Sequence, residues 1–127
     1  MSSSFLVVDD SPVGRKILRR ALTMVGVELG AVLEAEDGVA ALELLRSQPI
    51  DVVLTDIHMP RMDGMELVRQ MRSDGRLANT AVIVVSSDRN DVRQQELRAL
   101  GACAYVVKPL RPESLRDAVL AATRGAA

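Results

Sequence analysis

The stretch IDVVLTDIHMP, residues 50–60, is an apolar run rich in β-branched side chains that ends in one carboxylate, Asp56. Three other short apolar runs, FLVV, VIVV and YVV, also end in polar side chains. The residues at these ends are Asp9, Asp10, Ser86, Ser87 and Lys108. Nearly continuous runs of this kind are typical of parallel strands that are covered on both faces. Because ligands of open α/β sheets bind where the strands end, the pattern predicts a site for a divalent cation and a phosphoryl group.

Helical patterns alternate with the apolar runs along the whole chain. Strands are predicted near residues 5–9, 31–35, 50–55, 81–86 and 104–107. The first helix is predicted to begin after Ser11, and the others to run near residues 38–47, 64–73, 89–100 and 112–123. These segments are long enough to cross over between parallel strands. The alternation predicts a three-layer α/β fold, a doubly wound (βα)5 sandwich with helices on both faces of one parallel sheet.

The first helix has the clearest sequence signals. Ser11 is a good N-cap and Pro12 suits the first helical position. One apolar face is predicted from Ile17, Leu18, Ala21, Leu22 and Val25. The fourth helix, in contrast, has a weak apolar stripe and is largely polar.

The composition limits the class of protein. The 127 residues suit one domain over residues 1–127, and a net charge of −1 with only Phe5 and Tyr105 as aromatic residues excludes a basic or base-stacking nucleic-acid surface. No segment approaches the roughly 20 apolar residues of a membrane span, and the N-terminus lacks a signal-peptide pattern. We therefore expect a cytoplasmic protein without membrane contact. Cys103 is the only cysteine and is predicted to be a small buried hydrophobe.

The three acids Asp9, Asp10 and Asp56 are candidate ligands of Mg²⁺. Carboxylates at one sheet edge repel one another unless a cation intervenes, and Mg²⁺ prefers hard oxygen ligands. Asp56 is the candidate nucleophile, since a carboxylate can attack phosphorus to form an acyl phosphate. Lys108 and Ser86 would then contact the phosphoryl oxygens. The alternative is that these acids only cap the helices that follow the strands.

Lys108 is followed by Pro109, which ends the last strand and bends the chain. A cis peptide bond between them would turn the lysine toward the sheet edge, whereas a trans bond leaves it free to reach solvent. The sequence alone leaves the isomer open.

The chain resembles the receiver domain of two-component response regulators. The matching segments are FLVVDDS, VVLTDIHMPRMDG, VIVVSS and AYVVKP, in the order and at the spacings of that family, and they cover nearly the whole chain. The resemblance implies a flavodoxin-like fold with a five-stranded parallel sheet of order 2-1-3-4-5.

The resemblance also implies a set of roles at the site. Asp56 would accept a phosphoryl group from a phosphohistidine, and Lys108 would bond to a phosphoryl oxygen. Asp9 and Asp10 would bind Mg²⁺, with Asp10 the more direct ligand, and the backbone carbonyl of His58 would complete the protein ligands.

Two further residues match the family's switch. Ser86 would swing toward the phosphoryl group, and Tyr105 would turn inward when Ser86 moves. The face of helix 4, strand 5 and helix 5 would then present a different surface to a partner. Pro60 and Gly64 fit the loop after the phosphoacceptor strand.

Two side chains have alternative interpretations. The His58 ring either tunes autodephosphorylation or is a solvated loop histidine. Asp88 either orients or repels the attacking water or caps the fourth helix.

The predicted function is a phosphorylation-activated signalling switch, not an enzyme with a separate substrate: it catalyses only its own phosphorylation and dephosphorylation. Its expected partners are a sensor histidine kinase or histidine phosphotransfer protein and a downstream protein, with the chain a monomer or a weak phosphorylation-dependent dimer. A receiver that acts alone is favoured over the input domain of a longer regulator with a DNA-binding or enzymatic output. A third alternative is a phosphatase of the haloacid-dehalogenase type, although that class places a general-acid Asp where this chain has His58.

Overall fold

The computed structural model describes residues 2–125 as five strands that alternate with five helices. The strands are β1 (Ser3–Val8), β2 (Leu29–Ala35), β3 (Val52–Thr55), β4 (Ala81–Ser86) and β5 (Ala104–Val107). The helices are α1 (Pro12–Thr23), α2 (Gly38–Ser47), α3 (Gly64–Ser73), α4 (Asp91–Ala99) and α5 (Pro112–Gly125). Met1, Ala126 and Ala127, which belong to the predicted domain 1–127, lie outside the described residues.

All neighbouring strands pair in parallel, in the order β2-β1-β3-β4-β5. This confirms the predicted (βα)5 fold and its strand order. Val8 pairs with Thr55, so β1 and β3 end level with each other, while Thr55 pairs with Val84, two residues before the end of β4. The residues that follow β1 and β3 therefore emerge side by side at one edge of the sheet.

The sheet separates two hydrophobic cores. Alternate residues of β1 point to opposite faces, so that Leu6 and Val8 pack with the buried side chains of α2 and α3. Phe5 and Val7 pack on the other face with the buried side chains of α1 and α5. The central strands β1, β3 and β4 are buried on both faces, which explains why their sequences are continuous apolar runs.

Four helices begin where a polar side chain caps the first turn. The cap residues, each of which accepts a hydrogen bond from a backbone N–H of the first turn, are Ser11, Asp37, Asp63 and Asn90. The cap at Ser11 was predicted. The fourth helix begins at Asp91 rather than near residue 89, because Asn90 and not Asp88 is its cap.

The strand and core predictions differ from the structure in a few places. β1 begins at Ser3 and β2 at Leu29, earlier than expected, because polar or glycine residues at these ends still pair through the backbone. Ile17 was expected to face inward but is 53% exposed, since α1 contacts the sheet through the narrower stripe of Leu18 and Leu22. Cys103 was expected to be buried but is exposed, because it precedes β5 at the amino edge of the sheet.

Within residues 2–125, no helix combines the length and the apolar character that crossing a membrane requires.

Candidate functional site

The ends of β1, β3 and β5 bring two carboxylates and one ammonium together. Lys108 Nζ donates to Asp9 Oδ2 at 3.0 Å and to Asp56 Oδ2 at 3.0 Å. Asp56 follows directly on β3, where its N–H donates to the Val8 carbonyl at 3.0 Å. The Lys108–Pro109 peptide bond is cis, which answers the question that the sequence left open. We call Asp9, Asp56 and Lys108 the acidic cluster.

Asp56 is held in its ionised form. Its Oδ1 accepts the Ile57 N–H at 2.6 Å, and its Oδ2 accepts from Lys108. Burial by itself would raise the pKa of Asp56, but hydrogen bonds with the Ser86 hydroxyl and the Lys108 ammonium outweigh it and lower the pKa below its ordinary value of 3.8. The carboxylate is therefore unprotonated at neutral pH.

Lys108 is held in its charged form by the same contacts. Burial alone would lower its pKa, but the hydrogen bonds and charges of Asp56 and Asp9 raise the pKa above 10.5. The Lys108 ammonium is thus shared by two carboxylates, and the acidic cluster retains an excess of one negative charge.

Asp9 is almost fully buried and is fixed by several neighbours. Its Oδ1 accepts the Ser11 N–H at 2.9 Å, and its backbone carbonyl accepts from Arg15 Nη1 at 2.7 Å. A Cβ at Gly14 would lie 2.7 Å from Asp9 Oδ2, so the carboxylate occupies the space that any other side chain would need. Neither Gly14 nor Arg15 was predicted to contribute to the site. Gly14 could have been noticed from the sequence, because glycine is a poor helix former and stands here in the first turn of a helix.

Asp10 is placed differently from the other two acids. It is exposed, and it makes no hydrogen bond or ion pair with any described residue. Within residues 2–125, no three acidic, histidine or cysteine side chains converge as a group that could hold a metal ion. The close cluster instead pairs the carboxylates of Asp9 and Asp56 with an ammonium.

The donors at this edge nevertheless suit a magnesium ion by their chemistry. Mg²⁺ takes oxygen ligands, keeps several waters and needs only one or two carboxylates from the protein. Each ionised carboxylate oxygen has lone-pair capacity beyond the single hydrogen bonds described above. The excess negative charge of the acidic cluster and the free carboxylate of Asp10 are the features that favour a cation here.

Ser86 lies between Asp56 and Tyr105, the aromatic residue of β5. It is fully buried, and its Oγ accepts the Asp88 N–H at 3.2 Å. The Ser86 hydroxyl also acts on both neighbouring groups, since it lowers the pKa of Asp56 and that of Tyr105. Tyr105 is partly buried and donates its hydroxyl to the Asp88 carbonyl. Burial, followed by the charge of Asp88, raises the pKa of Tyr105, so the hydroxyl stays neutral and able to donate.

His58 and Asp88 meet at the mouth of the site. His58 Nε2 lies 2.6 Å from Asp88 Oδ2, and Arg93 Nη1 lies 2.9 Å from the same oxygen. His58 is thus paired rather than simply solvated, although its side chain is 62% exposed. Asp88 is not the cap of α4, but its Oδ1 accepts the N–H of Asn90 at 2.8 Å. We call His58, Asp88 and Arg93 the mouth cluster.

The charge of Asp88 is stabilised by its neighbours. The hydrogen bond from the Asn90 backbone, then that with His58, and the charge of Arg93 lower the pKa of Asp88. Asp88 is therefore an anion at neutral pH that is already balanced by adjacent cationic or hydrogen-bonding groups.

Comparison with known proteins identifies the family. The family model described as response regulator receiver domain matches residues 5–120. The chemotaxis protein CheY homolog of Campylobacter jejuni strain 81-176 is 36% identical over 113 residues, which cover 88% of this chain and 85% of that protein. CheY1 of Helicobacter pylori strain 26695 is 37% identical over 113 residues, which cover 88% of this chain and 90% of that protein.

Solved structures show the same fold. Chemotaxis protein CheY4 of Vibrio cholerae superposes with a TM-score of 0.82 at 31% identity, over 94% of this chain and 98% of that chain. A CheY-like receiver of Methanospirillum hungatei gives a TM-score of 0.85 at 22% identity, over 99% of this chain and 98% of that chain, and so supports the fold alone. The chain belongs to the response regulator receiver family, whose members act in two-component signalling.

Proposed function

We propose that this receiver domain is a phosphorylation-activated switch in which Asp56 accepts a phosphoryl group from a phosphohistidine of a sensor kinase or histidine phosphotransfer protein. The observation that carries the proposal is the acidic cluster: a Lys108 ammonium 3.0 Å from the carboxylates of both Asp9 and Asp56. Asp56 is ionised, partly buried and reachable, as a nucleophile of this kind requires.

In the proposed transfer, an Asp56 carboxylate oxygen forms a bond to phosphorus while the bond from phosphorus to the donor histidine nitrogen breaks. Lys108 gives up one of its carboxylate contacts and pairs with a phosphoryl oxygen, and the Ser86 hydroxyl donates to another. Transfers of this type depend mainly on positioning and on neutralising the phosphoryl charge.

Asp9, Asp10 and the backbone carbonyl of His58 are the residues that we propose to hold Mg²⁺. When bound, the ion would supply further charge neutralisation at the phosphoryl oxygens. Asp9 is fixed by Ser11 and Arg15, whereas Asp10 is free to reach a ligand at the same edge.

The switch is proposed to run from Ser86 through Asp88 to Tyr105. Ser86 Oγ accepts the Asp88 N–H, and the Asp88 carbonyl accepts the Tyr105 hydroxyl, so a movement of Ser86 toward a phosphoryl group acts on both contacts. A shift of a two-state equilibrium from 1:99 to 99:1 needs about 5.5 kcal/mol, which two or three charge-assisted hydrogen bonds can supply. The face of α4, β5 and α5 is the proposed partner surface.

The domain is proposed to act as a stand-alone, cytoplasmic signalling protein, a monomer or weak phosphorylation-dependent dimer, with catalysis confined to its own phosphorylation and dephosphorylation. The two curated relatives, of which the matches cover 85% and 90%, have little length outside the receiver, which favours a receiver without an output domain. The alternative is an input domain of a longer regulator, and the length of the native product distinguishes the two. The phosphatase alternative has no further support, since the position of its general acid holds His58.

Labelling with a small phosphodonor tests the proposal. With acetyl phosphate and Mg²⁺, we expect intact-protein mass spectrometry to show one added phosphoryl group, and peptide mapping to place it on Asp56. Asp56→Ala should abolish the addition, whereas Asp91→Asn, which changes an exposed acid in the first turn of α4, should leave it intact. Persistent labelling of Asp56→Ala would refute the assignment.

A further inference from the structure

A buried carboxylate beside the site has no role in the proposed reaction. Asp37 is only 1% exposed and precedes α2. Its Oδ1 accepts the Ala40 N–H at 2.8 Å, while its Oδ2 accepts from Arg61 Nε at 2.6 Å and lies 2.5 Å from Arg61 Nη2. A helix cap needs only the first of these contacts. The contact of two Arg61 nitrogens with Asp37 Oδ2 therefore requires a separate explanation.

Arg61 belongs to the loop of residues 57–63, which follows Asp56 and which we call the acceptor loop. Its backbone has a φ of 64°, in the left-handed region that favours glycine. A residue other than glycine persists in this conformation where surrounding contacts fix it, and such positions concentrate at functional sites. The guanidinium reaches across to Asp37 and to the exposed Glu36, whose Oε1 accepts from Nη2 at 2.8 Å.

The backbone of the acceptor loop is held at the same place. The Gly38 N–H donates to the Met62 carbonyl at 3.0 Å, and a Cβ at Gly38 would lie 2.6 Å from Met62 Cγ. The Arg61 and Asp37 contact therefore joins two surfaces that are already in close approach. Together these contacts fix the C-terminal half of the acceptor loop to the start of α2.

The other end of the acceptor loop closes on the phosphoacceptor itself. The Gly64 N–H donates to the Ile57 carbonyl at 2.7 Å, and a Cβ at Gly64 would lie 2.2 Å from the Asp56 carbonyl oxygen. His58 lies between these two restraints. The orientation of its backbone carbonyl thus depends on where the loop is held at Arg61 and Met62.

We infer that Arg61 is a positioning residue for the phosphorylation site: its ion pair with Asp37 holds the acceptor loop so that the His58 carbonyl faces the proposed Mg²⁺ position. The inference rests on the proposed function. Arg61 touches neither Asp56 nor the other residues of the acidic cluster, so it acts through the loop and not on the reacting atoms. The hydrogen bond from Ala40, and after it that from Arg61, lower the pKa of Asp37, which keeps the pair ionised at neutral pH.

The test measures Mg²⁺ affinity of the unphosphorylated protein, by following backbone amide chemical shifts in ¹H–¹⁵N spectra as MgCl₂ is added. Arg61→Gly removes the guanidinium and accepts the positive φ without strain. Asp37→Asn keeps a cap acceptor for Ala40 and removes the charge. Partners that orient a metal ligand typically change metal affinity by about 10–100-fold, so we expect each variant to bind Mg²⁺ about tenfold more weakly.

Glu36→Gln is the matched control, because Glu36 is an exposed partner of the same guanidinium. It should bind Mg²⁺ within about twofold of the native protein. Amide shifts of residues 57–59 in metal-free protein should differ from native in Arg61→Gly and Asp37→Asn but not in Glu36→Gln. Arg61→Lys, which keeps the charge but cannot place two nitrogens on Asp37 Oδ2, should recover part of the affinity.

Native Mg²⁺ affinity in Arg61→Gly and Asp37→Asn, with only a lower melting temperature, would show a purely structural ion pair and overturn the inference. If Arg61→Gly does not fold, Asp37→Asn and Arg61→Lys decide the question by the same titration. A native protein without saturable Mg²⁺ binding refutes the proposed function and the inference together, an outcome distinct from a variant that matches native binding.

Discussion

The acidic cluster and the mouth cluster lie at the same edge of the sheet but differ in their balance of charge. In the acidic cluster, the Asp9 and Asp56 side chains share the single ammonium of Lys108. In the mouth cluster, the one carboxylate of Asp88 has two partners, His58 and Arg93. The first cluster has an unbalanced anion and the second does not. An unbalanced buried charge is costly unless a cation or a change of protonation relieves it, so the acidic cluster is the one prepared for a ligand.

The two clusters also differ in the elements that build them. The acidic cluster is placed by the ends of β1, β3 and β5, where the strand register leaves little freedom. The mouth cluster is formed by loops and by the first turn of α4, with the more exposed side chains. A buried cluster at the strand ends and a more exposed cluster on loops suit a site that is modified at its base and recognised at its surface.

The largest change in stability is expected for Lys108→Ala, which removes the cation of the acidic cluster. It leaves two largely buried carboxylates without their shared cation, and we expect the free energy of unfolding at pH 7 to fall by about 2 kcal/mol. Chemical denaturation measures this loss. Lys16→Ala, which removes an exposed lysine of α1, is the control and should change stability by no more than about 0.5 kcal/mol.

The pH dependence of this loss has a definite sign. Because the folded-state pKa of Asp56 is lowered, its contribution to stability is present above the ordinary value of 3.8 and is lost as pH falls through the folded-state pKa. The difference between native protein and Lys108→Ala should therefore be full at pH 7 and shrink below about pH 4. A difference that stays constant down to pH 2 contradicts the assigned pairing.

The acidic cluster was largely predictable from sequence, whereas the mouth cluster was not. Four apolar runs that end in polar residues predicted the parallel sheet, and the topology of such sheets places strand ends together. Asp9 and Asp56 needed no side-chain information beyond that, whereas the sequence left the direction of the Lys108 side chain open. Asp10 follows the same strand, but the pattern could not show that its side chain would be exposed and free.

The contacts made by loop residues depend on tertiary geometry that local patterns do not contain. His58 and Asp88 are 30 positions apart, and their contact depends on how two loops meet. Arg61 pairs with Asp37 from a backbone of positive φ, a conformation that sequence propensity disfavours at a residue other than glycine. The exposure of Ile17 and Cys103 shows the same limit, since an apolar residue at a predicted face is buried only if a neighbour covers it.

A smaller effect is expected for Tyr105→Phe, which tests whether the two clusters are linked. The change removes the hydrogen bond from the Tyr105 hydroxyl to the Asp88 carbonyl and keeps the ring. We expect a loss of about 1 kcal/mol in unfolding free energy, the net contribution of one hydrogen bond. Labelling of Asp56 should persist, while the amide shifts of α4 induced by a beryllofluoride phosphoryl mimic should diminish. If the mimic shifts the α4 amides in this variant as it does in the native protein, the Tyr105 hydroxyl does not transmit phosphorylation to α4.

The smallest effect is expected at the mouth cluster, for His58→Asn. The pair with Asp88 is exposed on the histidine side, and exposed pairs contribute little, so overall stability should be unchanged within error. Because His58 and Asp88 lie two residues after Asp56 and Ser86, loss of the pair should instead alter access of water to Asp56 and change the half-life of the phosphorylated state by about twofold. Arg93→Gln removes the other partner of Asp88 but leaves His58 in place, so it should have a weaker effect on that half-life. Equal half-lives for native protein and His58→Asn would confine the mouth cluster to a structural role, and would leave control of the phosphorylated state to the acidic cluster alone.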